Sequence, residues 1–217
     1  QYTDDINRPN QLYIRILRSP YAHGRITELD VSEARSRPGV EAVYTAADLT
    51  SLGGLPCRAA LKNAQGEPAF IPHRPILAED KVLFVGQAIA AVVAQTPEQA
   101  VDAVEAIELS VDDLPACSDL SGALNPDTLP IHDTRSDNLC VHFEQGSTAD
   151  VDQALASGAY RISVNLVNNR VVPSPLEPRA TLVEPANEGF KLYNPSQGAL
   201  GQRAVLAKVF SLPADQI

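Results

Sequence analysis

Two short stretches hold residue types that could do chemistry. In "YNPSQGALGQR", residues 193–203, Gln197 lies between a strand-like run and a helix-like run. Its carboxamide offers a donor and an acceptor where a strand would hand over to a helix. The free backbone N–H groups of a helix start there would add an anion-binding edge. In "LEPR", residues 176–179, Glu177 and Arg179 are set among Pro173, Pro175 and Pro178. Proline fixes φ and removes a backbone donor, so this segment is stiff. Its Glu and Arg could form an ion pair or orient a partner group. Stiff proline segments also serve only to join strands, and the residues leave both uses open.

The remaining candidates read as structural. His23, His73, His132 and His142 each fall in or near a loop, and no two lie four apart on a helix, which excludes the zinc-protease pattern. They read as surface or hydrogen-bonding side chains. There is no GxSxG to mark a nucleophile elbow. Asp4–Asp5, Glu79–Asp80 and Asp112–Asp113 adjoin strand ends or turns and read as solvated carboxylates. Cys57, Cys117 and Cys140 are an odd number without CxxC spacing, which fits reduced thiols better than disulfides, zinc or iron–sulfur ligation. No catalytic set and no metal-ligand set is assigned within these residues.

The elements that must position Gln197 follow from periodicity. In the first 120 residues, strands are expected over 11–19 and 25–31, a short helix within 31–39 capped by Ser32 and stopped by Pro38 and Gly39, and a strand followed by a turn over 40–49. Residues 50–75 are rich in Gly, Pro and polar residues and read as loop. A strand leads to Gly86, and "AIAAVVAQ" is a second strand of small residues. "TPEQAVDAVEA" carries a capping box, Thr96 with Gln99, and Pro97 at the first helical position. Ala100, Val101 and Val104 share one face of that helix, with Ala103 beside them. Another strand is expected over 107–115. The strand–helix–strand unit over 85–109 is a scaffold: it has neither GxGxxG nor GxxxxGK[ST].

Residues 121–140 are polar, turn-rich and aperiodic, and read as an extended linker. Beyond it a helix is expected over 148–157, with Val151, Ala154 and Leu155 on one side and Gly158 ending it. "YRISVNLVNN" alternates Tyr160, Ile162, Val164 and Leu166 against polar residues, the pattern of a half-buried strand. Strands at 180–184 and 189–193 flank the turn signal "NEG", and "QRAVLAKVFSLP" is a helix. The fold class is α+β.

Composition narrows the function further. The chain has 217 residues, 44% of them hydrophobic, and a formal net charge of -10. That charge argues against a nucleic-acid surface, which needs clustered Lys and Arg. The longest apolar run, near 88–94, is too short to span a bilayer, and no secretory signal pattern opens the chain. A cytoplasmic protein is expected. The chain lacks methionine, begins at Gln1 and stops as a new segment should start, so it is expected to be a piece of a longer protein.

These stretches resemble the large subunit of molybdenum hydroxylases, the xanthine dehydrogenase, aldehyde oxidase and carbon monoxide dehydrogenase family. Residues 2–49 and "RPILAEDKVLFVGQAIAAVVAQTPEQAVDAVEAIELSVDDLPA" are similar to the family's alpha/beta hammerhead domain. "VNNRVVPSPLEPRATLVE" and "LYNPSQGALGQRAVLAKVFSLPADQI" are similar to the start of its first molybdopterin-binding domain. "NNRVVPSPLEPR" favours the bacterial three-subunit enzymes. The resemblance implies a hammerhead domain at 1–120, a linker at 121–140 and the N-terminal part of a molybdopterin-binding domain at 141–217. It implies oxidation of carbon monoxide, an aldehyde or an N-heterocycle at molybdenum held by molybdopterin cytosine dinucleotide, with none bound by these residues alone. The partners it implies are an iron–sulfur small subunit, an FAD-binding medium subunit and the remainder of the large subunit. Gln197 aligns with a glutamine close to the molybdenum oxo group, and is the one cofactor-binding residue carried over. The family's catalytic glutamate and a glycine-rich segment are expected beyond Ile217, leaving this piece inactive. The alternative is a non-catalytic binding or assembly module that docks partner subunits.

Overall fold

The computed structural model of the chain describes residues 2–57, 59–169 and 171–217. Its first half is organised around one strand. The chain runs through β1 (Tyr13–Arg18), β2 (Gly24–Asp30), the short helix α1 (Ser32–Ser36) and β3 (Val40–Tyr44). After a long irregular stretch come β4 (Lys81–Val82), β5 (Ala88–Ala94), α2 (Pro97–Glu105) and β6 (Glu108–Asp113). β5 pairs antiparallel with β1 on one side and β3 on the other, and a second sheet has the order β4–β2–β6.

The sequence of β5, AIAAVVA, explains its place. Ile89, Ala90, Val92 and Ala94 have no exposed surface, so the strand is covered on both faces. A strand buried on both sides reads as a continuous apolar run, as this one does. Ala90 and Val92 point into a cluster with Val31, Ala34, Val43, Ala103 and Ile107. Ile89 points the other way, to Ala78 and Val82. Leu17 and Leu29 pack against both clusters, which joins the two sheets.

The helix α2 lies against β1 and β5. Both halves of its capping box form: Thr96 Oγ1 accepts from the Gln99 N–H at 3.2 Å, and Gln99 Oε1 accepts from the Thr96 N–H at 3.1 Å. Ala100 and Ala103 are the fully buried positions, with Val101 and Val104 half-buried beside them. Small side chains at the contact let the helix approach the small residues of β5.

Two local expectations for this half are corrected. Ser32 is the first residue of α1 rather than its cap. Val31 holds the N-cap position without a side-chain bond, and the Asp30 carboxylate accepts from the Ser32 N–H at 2.8 Å. That bonding to Ser32 holds the Asp30 carboxyl below its usual range. The strand expected to reach Gly86 stops at Val82, because the chain turns before β5. Gly86 has φ +89°, and its N–H reaches the Ser19 carbonyl at 2.8 Å. Nothing lies within 4 Å of where a Cβ would be, so the backbone angle, not crowding, calls for glycine there.

The second half contains α3 (Leu120–Ala123), α4 (Thr148–Ser157), the hairpin β7 (Leu182–Pro185) and β8 (Phe190–Tyr193), and α5 (Ala199–Phe210). Gly189, at φ +87°, makes the hairpin turn that "NEG" signals. The α+β class stands. The segment 121–140 is turn-rich as expected, yet it is not a free spacer. It docks on the first half: Lys81 Nζ donates to Asp133 Oδ1 at 2.7 Å, and the Arg135 guanidinium lies 5.1 Å from the centre of the Phe70 ring. The Phe70 N–H also donates to the Cys140 carbonyl at 2.8 Å.

The strand expected at 160–169 does not form. Tyr160, Ile162 and Leu166 keep 93%, 86% and 83% of their surface exposed. Alternation supplies an apolar face, but a strand also needs a hydrogen-bonded neighbour, and no described segment pairs with this one. α4 forms behind its Ser147 cap, but Val151 and Leu155 stay exposed for the same lack of a partner. Gly158 ends it in extended backbone, φ −66°, not the left-handed form expected of a C-terminal glycine.

Ile89→Ala removes a fully buried side chain between the sheets and should cost about 2–5 kcal/mol. A lowered urea midpoint at unchanged slope is the expected readout. The docked segment 121–140 should also loosen in acid. Burial first, and then Lys81, hold the His132 imidazole below its ordinary 6.5. A depressed histidine supports the fold above 6.5 and loses that support as pH falls through its folded value. The Lys81 hydrogen bond likewise holds the Asp133 carboxyl below its ordinary 3.8, so its support is present above 3.8 and lost below. Amide exchange at 129–140 should rise in two stages on acidification from pH 7. Exchange independent of pH, after correction for intrinsic rates, would contradict this.

Candidate functional site

Gln197 is placed by the hairpin and by α5. The loop 194–198 leaves β8 and enters the helix, and its start is locked by one side chain. Asn194 Nδ2 donates to Gln202 Oε1 at 3.0 Å, while Asn194 Oδ1 accepts from Thr181 Oγ1 at 2.8 Å. Asn194 therefore ties the strand end to the first turn of α5 and to the residue before β7. Pro195 follows, and the Gly198 N–H donates to Ser196 Oγ at 3.3 Å. Gln197 sits exposed on the bend between these anchors.

The start of α5 is left open. Gly198 occupies the N-cap position and supplies no side-chain bond. Helix geometry leaves the first N–H groups without intrahelical partners. They point the same way as the positive end of the helix dipole. At Gly198 nothing lies within 4 Å of where a Cβ would be. The loop thus places an exposed carboxamide beside the uncapped N–H groups of a helix start. This donor-rich set suits an oxo or phosphate oxygen, so the residues fit a molybdenum–pyranopterin group.

The scaffold under the site is polar and apolar by turns. Phe190 and Phe210 meet edge to face at 5.5 Å, and Val209 is 5% exposed. Across from the hairpin, Arg8 pairs with Glu184 and lies over Tyr193, its centre 5.6 Å away. The hydrogen bond to Glu184 keeps the Arg8 guanidinium even more basic than usual. Lys191 lies 4.7 Å above the same ring.

The second sequence candidate behaves differently. Glu177 accepts from the Thr3 N–H at 3.0 Å and from Thr3 Oγ1 at 3.2 Å, while Arg179 stays exposed. The "LEPR" glutamate therefore fastens the proline segment to the chain's beginning instead of pairing with Arg179. Of the carboxylate pairs, Asp5 accepts from the Tyr2 N–H, Asp80 pairs with Arg25 and Glu79 faces His73 at 3.3 Å, while Asp112 and Asp113 lie exposed at the end of β6. Among the described residues, no three His, Cys, Asp or Glu side chains are placed to hold a metal ion. No described helix is long and apolar enough to cross a membrane.

Sequence reasoning missed Asn194. Its place before Pro195 at a strand end was the available signal, since Asn-Pro marks a turn. It also missed the burial of His23, which is 3% exposed beside the edge of β2.

The geometry has counterparts in known proteins. The model of the aldehyde oxidase and xanthine dehydrogenase a/b hammerhead domain matches residues 1–115, and that of the molybdopterin cofactor-binding domain matches residues 131–217. The chain belongs to the molybdenum hydroxylase family, and the regions it spans are those of the molybdopterin-binding large subunit. It is 32% identical over 214 residues to the 6-hydroxypseudooxynicotine dehydrogenase complex subunit gamma of Paenarthrobacter nicotinovorans, covering 98% of this chain and 26% of that protein. It is 32% identical to the carbon monoxide dehydrogenase large chain of Hydrogenophaga pseudoflava, covering 100% of this chain and 28% of the relative. Among solved structures, quinoline 2-oxidoreductase from Pseudomonas putida 86 superposes with a TM-score of 0.85 at 27% identity, covering 100% of this chain and 27% of that one. The chain therefore spans about a quarter of the length of the relatives it matches.

Proposed function

We propose that this chain is the front portion of the large subunit of an enzyme that oxidises a small molecule at molybdenum. Residues 1–120 serve as the hammerhead domain, 121–140 as the connection and 141–217 as the opening of the cofactor domain. The observation that carries this reading is the uncapped start of α5 with Gln197 exposed beside it. It stands in a chain matched along its whole length to molybdenum enzymes.

Bound molybdopterin, in its cytosine dinucleotide form, supplies the redox chemistry. This chain's residues position it. Gln197, exposed beside that start, would offer its carboxamide N–H to an oxygen of the bound group, where a donor stabilises developing charge. The uncapped N–H groups at the start of α5 would hold an anionic oxygen beside it, with Asn194 keeping the loop in place for both. An iron–sulfur small subunit and an FAD-binding medium subunit would take up the electrons, and the assembly would work in the cytoplasm. Relatives named "complex subunit gamma" and "large chain" support a multi-subunit assembly.

The exposed apolar face at 160–167 pairs with polypeptide of the kind that makes up the rest of the relatives' length. The catalytic glutamate lies in that polypeptide, so the 217 residues alone bind no molybdenum and turn nothing over.

The test is metal analysis and turnover of the complete subunit with its partners. About one molybdenum per large subunit is expected. Gln197→Ala should keep the metal and lower kcat about a hundredfold, the cost of one donor aimed at developing charge. A complete assembly without molybdenum overturns the enzyme reading and favours the module that only docks subunits. Full activity in Gln197→Ala removes the residue's role alone.

A further inference from the structure

Residues 2–11, ahead of β1, fold into two turns. In the first, the Tyr2 N–H donates to Asp5 Oδ2 at 2.7 Å and the Asp5 N–H to the Tyr2 carbonyl at 3.1 Å. In the second, the Arg8 N–H donates to Gln11 Oε1 at 3.1 Å and the Gln11 N–H to the Arg8 carbonyl at 3.3 Å. Asn10 takes the left-handed conformation there, φ +57°, which asparagine tolerates better than most residues. Each turn is thus closed by a side chain of its own, Asp5 or Gln11.

Each turn also sends one residue to the second half of the chain. Thr3 gives Glu177 Oε1 both its N–H and its hydroxyl, at 3.0 and 3.2 Å. Arg8 pairs with Glu184 in β7 and donates to the Tyr193 hydroxyl in β8 at 3.4 Å. Glu184 is opposite Lys191 and Tyr193 is opposite Leu182, so Glu184 and Tyr193 are diagonal neighbours on one face of the hairpin. The Arg8 guanidinium spans that diagonal near the hairpin's open end. Among the described residues, every side-chain hydrogen bond between 2–115 and 171–217 comes through Thr3 or Arg8. One backbone bond adds to them, from the Gly53 N–H to the Val209 carbonyl at 3.4 Å. Tyr193 is the last residue of β8, and its neighbour Asn194 locks the loop that carries Gln197.

We infer that residues 2–11 are a clasp that sets the β7–β8 hairpin on the first half, and that Arg8 is a positioning residue for the Gln197 loop, acting through Tyr193 and Asn194. A two-stranded hairpin is marginally stable by itself, so a contact across its open end decides how firmly that end is held. What the loop does for a bound group rests on the reading of Gln197 given above. The clasp is measured without molybdenum, so the two ideas fail separately.

Amide exchange of the 217-residue chain is followed by NMR, together with the Asn194 side-chain N–H signals. Arg8→Met keeps a long side chain and removes the charge. Exchange over 182–194 should rise about two- to fivefold, the effect of losing a partly exposed ion pair. The Asn194 carboxamide signals should shift, and the β5 amides should not change. Thr3→Val leaves the N–H of residue 3 in place and should give a smaller rise. Arg8→Glu and Glu184→Arg each set like charges together and should loosen the hairpin, while the two combined should recover part of the protection. Exchange over 182–194 in the unaltered chain as fast as over 160–167 overturns the inference, because the hairpin is then not held. An unmoved Asn194 signal in Arg8→Met, a rise shared equally by β5, or no recovery in the reversed pair overturns it as well.

Discussion

The complete burial of β5 is the constraint on which the rest of the structure depends. It separates two apolar clusters, with Ala90 and Val92 on one side and Ile89 on the other. Ile89, Val82 and Val92 are the largest fully buried side chains, so this core gains its contacts from close approach rather than from bulk. Dispersion is short-ranged, and small residues contribute only when neighbours touch them. The alanines of α2 meet the alanines of β5 for that reason. Gly86 turns the chain into the strand, and Leu17 and Leu29 bind one sheet to the other.

The second half is held by a different physics. Few of its apolar side chains are buried, and named polar contacts do the fastening. Glu177 takes both donors of Thr3, Arg8 pairs with Glu184, and Asn194 ties β8 to α5. Exposed ion pairs contribute little individually, so these contacts set direction more than stability. Their consequence is geometric: α5 presents an uncapped start with Gln197 beside it. The face at 160–167 is the complement of this picture, an alternating apolar stripe without a paired strand among the described residues.

Much of the fold was legible where one signal sufficed. Thr96, Pro97 and Gln99 mark the start of α2 through chemistry within four residues, and the capping box formed as read. "NEG" marks the β7–β8 turn because Gly189 alone tolerates its backbone angle. Legibility failed where the outcome depends on a remote partner. The residues of "LEPR" indicated a stiff pair, but the partner of Glu177 is Thr3, 174 positions away. Residues 121–140 looked like a spacer, yet Asp133 finds Lys81 and Arg135 finds Phe70 across the fold. Gln197 was legible as a residue type at a strand-to-helix junction. The lock by Asn194 was not, because it joins three segments.

The sequence by itself determined the local elements, the α+β class, the acidic surface and the family likeness, since these arise from periodicity, capping and order along the chain. Only the tertiary structure decided which of those elements are covered. It buried β5 on both faces, docked 121–140, enclosed His23 and left 160–167 without a sheet. The physical reason is that periodicity states which face of a segment seeks burial, while burial itself requires a second surface within van der Waals reach.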